Sequence, residues 1–285
     1  MVRLVRTRVL NKHDNFMIRQ KTEAPRGLLR SGVADSNRYR YVRYYPAPDL
    51  AAYIEHFWLV EWDLRDKEPE LAETLPHPCV HMIFESGGKS RIRGPSRAKF
   101  STMLEGRGGV FSVKFTPAGF HPFVKTPVST FANKVVPLHT VFGADGDNLD
   151  RAVLCETADA SRVDLIENFL RERNPEPDEN VLRANDIAYS VAKDRSLLSV
   201  DQLVERYALT TRTLQRLFAT YVGVSPKWVI QRYRLNEAAH QLAADPGINH
   251  ASLAAELGYS DQAHFVRDFK RIVGMTPAAY AKTLD

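Results

Sequence analysis

The chain has 285 residues, 44% of them apolar and 26% charged, with a formal net charge of +5. That length has room for two domains and that balance suits a globular protein, while no apolar run reaches membrane-spanning length, so neither a transmembrane helix nor a secretory signal is expected. Two cysteines, Cys79 and Cys155, are too few for a disulfide framework and point to a reducing cytoplasm.

The charge is unevenly spread: residues 1–43 carry +8, residues 44–180 carry −6 and residues 181–285 carry +3. A mildly basic C-terminal part is adequate for nucleic acid, because local placement matters more than the sum. The acidic middle is not expected to bind it.

Residues 1–40 hold Arg3, Arg6, Arg8, Lys12, Arg19, Lys21, Arg26 and Arg30 with little hydrophobic periodicity. They read as a flexible basic arm, to which no role is assigned. From about Tyr41 the pattern changes. Leu50 to Trp58 reads as a short helix or a helix-to-strand passage. Strand-like runs follow at Phe57 to Trp62, Cys79 to Glu85, Ala98 to Leu104 and Gly109 to Phe115, separated by Gly/Pro/Ser punctuation such as Ser86-Gly87-Gly88 and Gly94-Pro95-Ser96. Short strands with turns between them predict a β-rich barrel or sandwich over residues 41–173.

His77, Cys79 and His81 alternate in this stretch, with Glu85 further on, and on a regular strand all would leave one face. Imidazole and thiolate suit zinc, but Pro76 and Pro78 interrupt the pleat, so these three are weak candidate ligands and no metal or other cofactor is expected. Pro78-Cys79 also resembles the acceptor cysteine of DNA-repair alkyl transferases, yet Val80-His81 follows where His-Arg belongs. No phosphate-binding glycine loop follows a strand, and no nucleophile sits at telling distance from a base. Catalytic residues are therefore not expected.

Helical periodicity returns at Leu149 to Leu154 and Arg162 to Arg173. These segments either close the sensor domain or pair with a second subunit. Residues 174–180, Asn-Pro-Glu-Pro-Asp-Glu-Asn, read as a polar linker.

Residues 181–285 contain one helical unit written twice. Leu203 matches Leu253, Tyr207 matches Leu257 and Thr210 matches Ser260. After a one-residue insertion Leu214 matches Phe265, Arg216 matches Arg267, Phe218 matches Phe269, Gly223 matches Gly274, and Ser225-Pro226 matches Thr276-Pro277. Each copy predicts a helix, a tight turn and a second helix, with Thr210 or Thr211 capping the first and Ser260 the second. A connecting helix, capped at Ser225 with Pro226 in its first position, is expected to run to about Ala244, roughly 30 Å at about 1.5 Å per residue. One turn of B-form DNA is about 34 Å long, so such a rod suits two units set in successive major grooves.

The ordered set Thr213-Leu214-Gln215-Arg216-Leu217-Phe218, Gly223-Val224-Ser225-Pro226, Leu257-Gly258-Tyr259-Ser260-Asp261-Gln262, His264-Phe265, Phe269-Lys270 and Gly274-Met275-Thr276-Pro277 resembles the DNA-binding domain of the AraC/XylS family. One departure is Ala208, where that family usually has glycine in the first turn. Residues 41–173 are similar to the sensor-type N-terminal domains of a subset of such regulators, through Leu75-Pro76, Cys79, Phe115-x-Pro117 and Val136-Pro137-Leu138. The resemblance implies an α+β chain, a β-rich sensor domain followed by an all-α domain with two helix-turn-helix units. It also implies double-stranded DNA as partner, RNA polymerase contact and transcriptional activation, and leaves open a small-molecule effector and a homodimer.

Arg212, Gln215 and Arg216 leave one helix face at spacings of three and four, and Gln262, His264 and Arg267 occupy the corresponding face of the second copy. Arginine pairs with guanine and glutamine with adenine in the major groove, so these six are the expected base readers, although Arg216 and Arg267 also suit bracing the fold or touching phosphate. Thr210, Thr211, Lys227, Ser260, Lys270 and Arg271 are the expected phosphate contacts. The reading that results is a sequence-specific transcription regulator, not an enzyme. The competing reading is a metal-dependent β-barrel enzyme or DNA-repair protein with a helical DNA-binding appendage.

Overall fold

The computed structural model describes residues 20–21, 28–30, 38–87, 90–173 and 175–283. Among the described residues ten strands form two antiparallel sheets. The larger has the order β1 (Gln20–Lys21), β3 (Tyr39–Tyr44), β4 (Ile54–Leu64), β9 (Gly106–Phe115), β6 (His81–Glu85), β7 (Arg91–Arg93), β10 (Val135–Pro137). The smaller runs β2 (Leu28–Arg30), β5 (Glu70–Thr74), β8 (Phe100–Leu104). Strands β1 and β2 lie within the segment expected to be a flexible arm, and each is paired into a sheet. The other expected basic positions of residues 1–37 fall outside the described residues, apart from Lys21 and Arg30.

Alternation sorts the large sheet into two faces. Val42, Phe57, Leu59, Met82, Phe84, Ile92, Phe111 and Val113 point one way and are buried. They pack under α2 (Leu138–Cys155), which kinks at Gly143, and α3 (Asp159–Glu172), through Leu149, Val153, Val163, Ile166 and Leu170. These two helices therefore close the N-terminal domain, one of the two roles open for them in the sequence. The opposite face turns toward the small sheet, where Tyr39 and Trp62 meet Ala72 and Leu104. The architecture is a sandwich, with α1 (His121–Val124) beside it.

The remaining helices form the second domain: α4 (Glu179–Lys193), α5 (Val200–Arg206), α6 (Thr211–Tyr221), α7 (Pro226–Ala244), α8 (His250–Glu256), α9 (Gln262–Val273) and α10 (Pro277–Ala281). The expected linker is shorter than its sequence suggests, because Asp178 caps α4 by accepting the Asn180 amide at 2.9 Å and the helix begins at Glu179. Helix α7 is shared by two cores. Trp228, Val229 and Ile230 join Leu203, Leu214, Leu217 and Phe218 in the first, whereas Leu235, Ala238, Ala239 and Leu242 join Leu253, Phe265, Phe269 and Ile272 in the second.

The two domains meet along a seam of specific hydrogen bonds. Asn185 on α4 accepts the Ala118 amide at 2.8 Å and donates to the Ala52 carbonyl at 3.1 Å and the Thr116 hydroxyl at 3.0 Å. Buried Arg232 donates to the Pro76 carbonyl at 2.8 Å and lies 3.1 Å from the His77 ring, and Leu75 sits in the second helical core. The Tyr221 ring packs 4.3 Å from His121, while its hydroxyl donates to Asp178 at 2.6 Å.

Candidate nucleic-acid interface

Each unit is built by local signals that the sequence carries openly. In the first, Ser199 and Gln202 form a reciprocal capping box at the start of α5. Thr210 caps α6 by accepting the Thr213 amide at 3.1 Å. In the second, Asn249 caps α8, and Asp261, not the expected Ser260, caps α9 by accepting the His264 amide at 2.7 Å. The reason is positional and chemical: Asp261 immediately precedes the helix and its carboxylate favours the helix N-terminus. Ser260 donates its hydroxyl to Asp261 at 3.2 Å.

The turn within each unit needs one residue in the left-handed region. In the second copy it is Gly258 at φ +74°, and in the first it is Ala208 at φ +48°. Position 208 thus has the backbone of a glycine and pays the cost of a Cβ there.

Helix α6 buries Leu214, Leu217 and Phe218 and leaves Arg212, Gln215 and Arg216 exposed. Helix α9 buries Phe265, Phe269 and Ile272 and leaves Gln262, His264 and Arg267 exposed. All six expected base readers therefore lie on outward faces. Among the described residues Arg212, Gln215, Arg216, Gln262 and Arg267 form no hydrogen bond or ion pair with the protein. His264 is half-exposed, stacked edge-on against Tyr259 at 5.2 Å with Nε2 3.3 Å from Asp268. The faces differ in chemistry, since Arg212 and Gln215 have Ala263 and Val266 as their counterparts.

The six expected phosphate contacts are also exposed. Arg271 is engaged within the fold, donating at 2.8 Å to both Gln231 on α7 and Asp268. Asp268 is buried and also takes the Gln231 amide, so this trio braces α9 against the connecting helix. Both outward helices end against the N-terminal domain. Gly223, just past α6, lies beside Pro95 and Val128, where a Cβ would approach within 2.9 Å, and Gly274, past α9, lies beside Lys99.

The weak metal candidates are not brought together. Only His81 lies on a strand; His77 and Cys79 lie in the irregular stretch before it, where the prolines break the alternation. His77 turns to Arg232 and His81 stands edge-on to Trp58 at 6.3 Å. No three His, Cys, Asp or Glu side chains among the described residues are placed to hold a metal ion. Burial, then the Lys114 ammonium, holds His81 down at about 3, and burial pushes the Cys79 thiol up to about 12.

Sequence reasoning passed over the seam residues Asn185 and Arg232 and a basic row on the sandwich's inner face. The one available signal was a polar residue on an otherwise apolar helix stripe, Asn185 among Val181, Ala184, Ile187, Ala188 and Val191.

The fold and its exposed faces define a two-unit helix-turn-helix domain behind a β-sandwich. Residues 203–283 match the family described as a helix-turn-helix domain, and residues 42–137 match a domain of unknown function, DUF6597. The helical domain is of the AraC type. It is 33% identical over 81 residues to the transcriptional activator RhaS of Escherichia fergusonii, and 30% identical over 80 residues to the virulence regulon activator VirF of Yersinia enterocolitica. Each match covers 28% of this chain, and respectively 28% and 29% of the relative. The structure of ToxT from Vibrio cholerae overlays 87% of this chain and 98% of its own, with 11% identity and a TM-score of 0.38. No helix among the described residues is long and apolar enough to cross a membrane.

Proposed function

We propose that the chain is a sequence-specific, DNA-binding transcription regulator whose two outward helices read adjacent major grooves of one duplex. The observation that carries this reading is the pairing of two exposed polar faces, five of whose six side chains have no hydrogen bond or ion pair among the described residues, on helices packed into the two cores that share one rod. Side chains without a partner in the fold keep their full hydrogen-bonding capacity for base edges. Nineteen residues make α7 about 28 Å long at about 1.5 Å per residue, near one turn of the duplex.

Arg212, Gln215, Arg216, Gln262, His264 and Arg267 are assigned to bases, with Thr210, Thr211, Lys227, Ser260 and Lys270 assigned to phosphate. Arg271 serves the brace to α7 and reaches phosphate from its exposed side. The seam supports a modulating role for the N-terminal domain, since a change in its Leu75–Cys79 segment acts on α7 directly. The activators RhaS and VirF favour activation, and RNA polymerase contact belongs to the same reading, as does a cytoplasmic, non-enzymatic protein.

Selection of bound duplexes from a random pool at fixed salt tests this. Arg212→Ala and Gln262→Ala are each expected to weaken the selected site by about 1–3 kcal/mol and to relax base preference at one position, in different halves of the site. Unchanged affinity and preference in both variants would contradict the assignment.

A further inference from the structure

The register of the large sheet sets a row of basic side chains across its inner face. Arg93 on β7 is the cross-strand partner of His81 on β6, His81 is the partner of Lys114 on β9, and Lys114 is the partner of His56 on β4. Within this row the compensation is incomplete. Lys114 is paired with Glu55 at 2.9 Å, and His56 lies 3.4 Å from the same carboxylate. The neighbouring Arg91 is paired with Glu85 at 2.6 Å.

Arg93 has no carboxylate partner among the described residues, and its Nε is buried without a hydrogen bond. Its guanidinium carbon lies over the Phe100 ring, 4.0 Å from the centroid, and burial together with Arg91 makes its charged form less favourable than in water. A guanidinium buried with a donor unmade costs stability, and a planar carboxylate is the partner its fork fits bidentately. On the other side of His81 stands the indole of Trp58, half-buried on a face otherwise turned inward. A cation stacked on one ring and an indole nearby suit an anion attached to a flat apolar body.

We propose that the inner face of the large sheet is a binding site for a small organic monocarboxylic acid, its carboxylate held by Arg93 beside His81 and its apolar body against Trp58. The site names the class of effector that the regulator reading calls for, and rests on that reading for its purpose only. It also has a route to the helical domain. Glu55, which holds Lys114 in the row, receives the Tyr189 hydroxyl of α4 at 3.4 Å, so a second anion in the row competes with Glu55 for Lys114.

The test uses the full chain without DNA, so that its failure is separate from failure of the DNA-binding assignment. Acetate, benzoate, cinnamate and octanoate, each beside its own amide, are titrated by calorimetry and by melting temperature. At least one acid is expected to bind saturably and to raise the melting temperature, its amide to do neither, and Arg93→Gln to weaken that acid about tenfold or more. Arg93→Lys, which keeps the charge but loses the fork, guards against misfolding: it is expected to melt like the parent and to bind the acid more weakly. No saturable acid, equal binding of acid and amide, or unchanged affinity in Arg93→Lys and Arg93→Gln would overturn the proposal.

Discussion

Ala208 shows how a single residue carries information in both directions. Its sequence position, opposite Gly258 in the repeat, marks a turn, and its φ of +48° shows that the turn keeps glycine's geometry with an alanine in place. A Cβ in the left-handed region costs up to about 1 kcal/mol relative to glycine, offset in part by the greater freedom glycine has when unfolded. Ala208→Gly is therefore expected to stabilise the first unit by a few tenths to about 1 kcal/mol, a rise of about 2–4 °C in melting temperature per kcal/mol. A fall in melting temperature would mean that the alanine makes packing contacts that outweigh its strain. The residue scale also explains what the sequence hid. Asn185 and Arg232 are polar residues on buried faces whose partners lie 67 and 156 residues away, Ala118 and Pro76, and no local pattern announces a partner that distant.

At the scale of elements, legibility followed locality. The helices α5 to α9 declared themselves because caps, apolar periodicity and turn residues all fall within one turn of where they act. Strands β4, β6, β8 and β9 were equally readable, as strand-like runs set off by Gly, Pro and Ser turns. Strand β7 was not: three residues, Arg91–Arg93, carry no periodic signal, and its two arginines acquire meaning only when pairing sets them beside His81 and Ile83. Strands β3 and β5 were missed for a related reason, since their polar and aromatic mixture leaves the alternation incomplete. Helix α4 is the element that ties the domains together, and its seam contact is testable. Asn185→Ala leaves the Ala118 amide without an acceptor, while the Thr116 hydroxyl still donates to the Ala52 carbonyl at 2.9 Å; the change should cost about 1–3 kcal/mol in urea denaturation and speed cleavage in residues 175–178. A loss below about 0.5 kcal/mol would show that the seam opens freely in solution.

At the scale of the whole molecule, one helix enters two cores and one β-domain touches both units. The first unit rests through Gly223 on Pro95 and Val128, the second through Gly274 on Lys99, and α7 meets the Pro76–His77 segment between them. These contacts give the proposed ligand site on the sandwich a direct mechanical path to both units. The central claim is that the two outward helices engage one duplex together. Hydroxyl-radical footprinting of the full chain on a selected site tests it most directly. The account requires two protected segments about 10 base pairs apart on one face of the duplex, with Arg212→Ala and Gln262→Ala each eroding a different one. A single protected segment lost equally in both variants, or protection untouched by either, would contradict it.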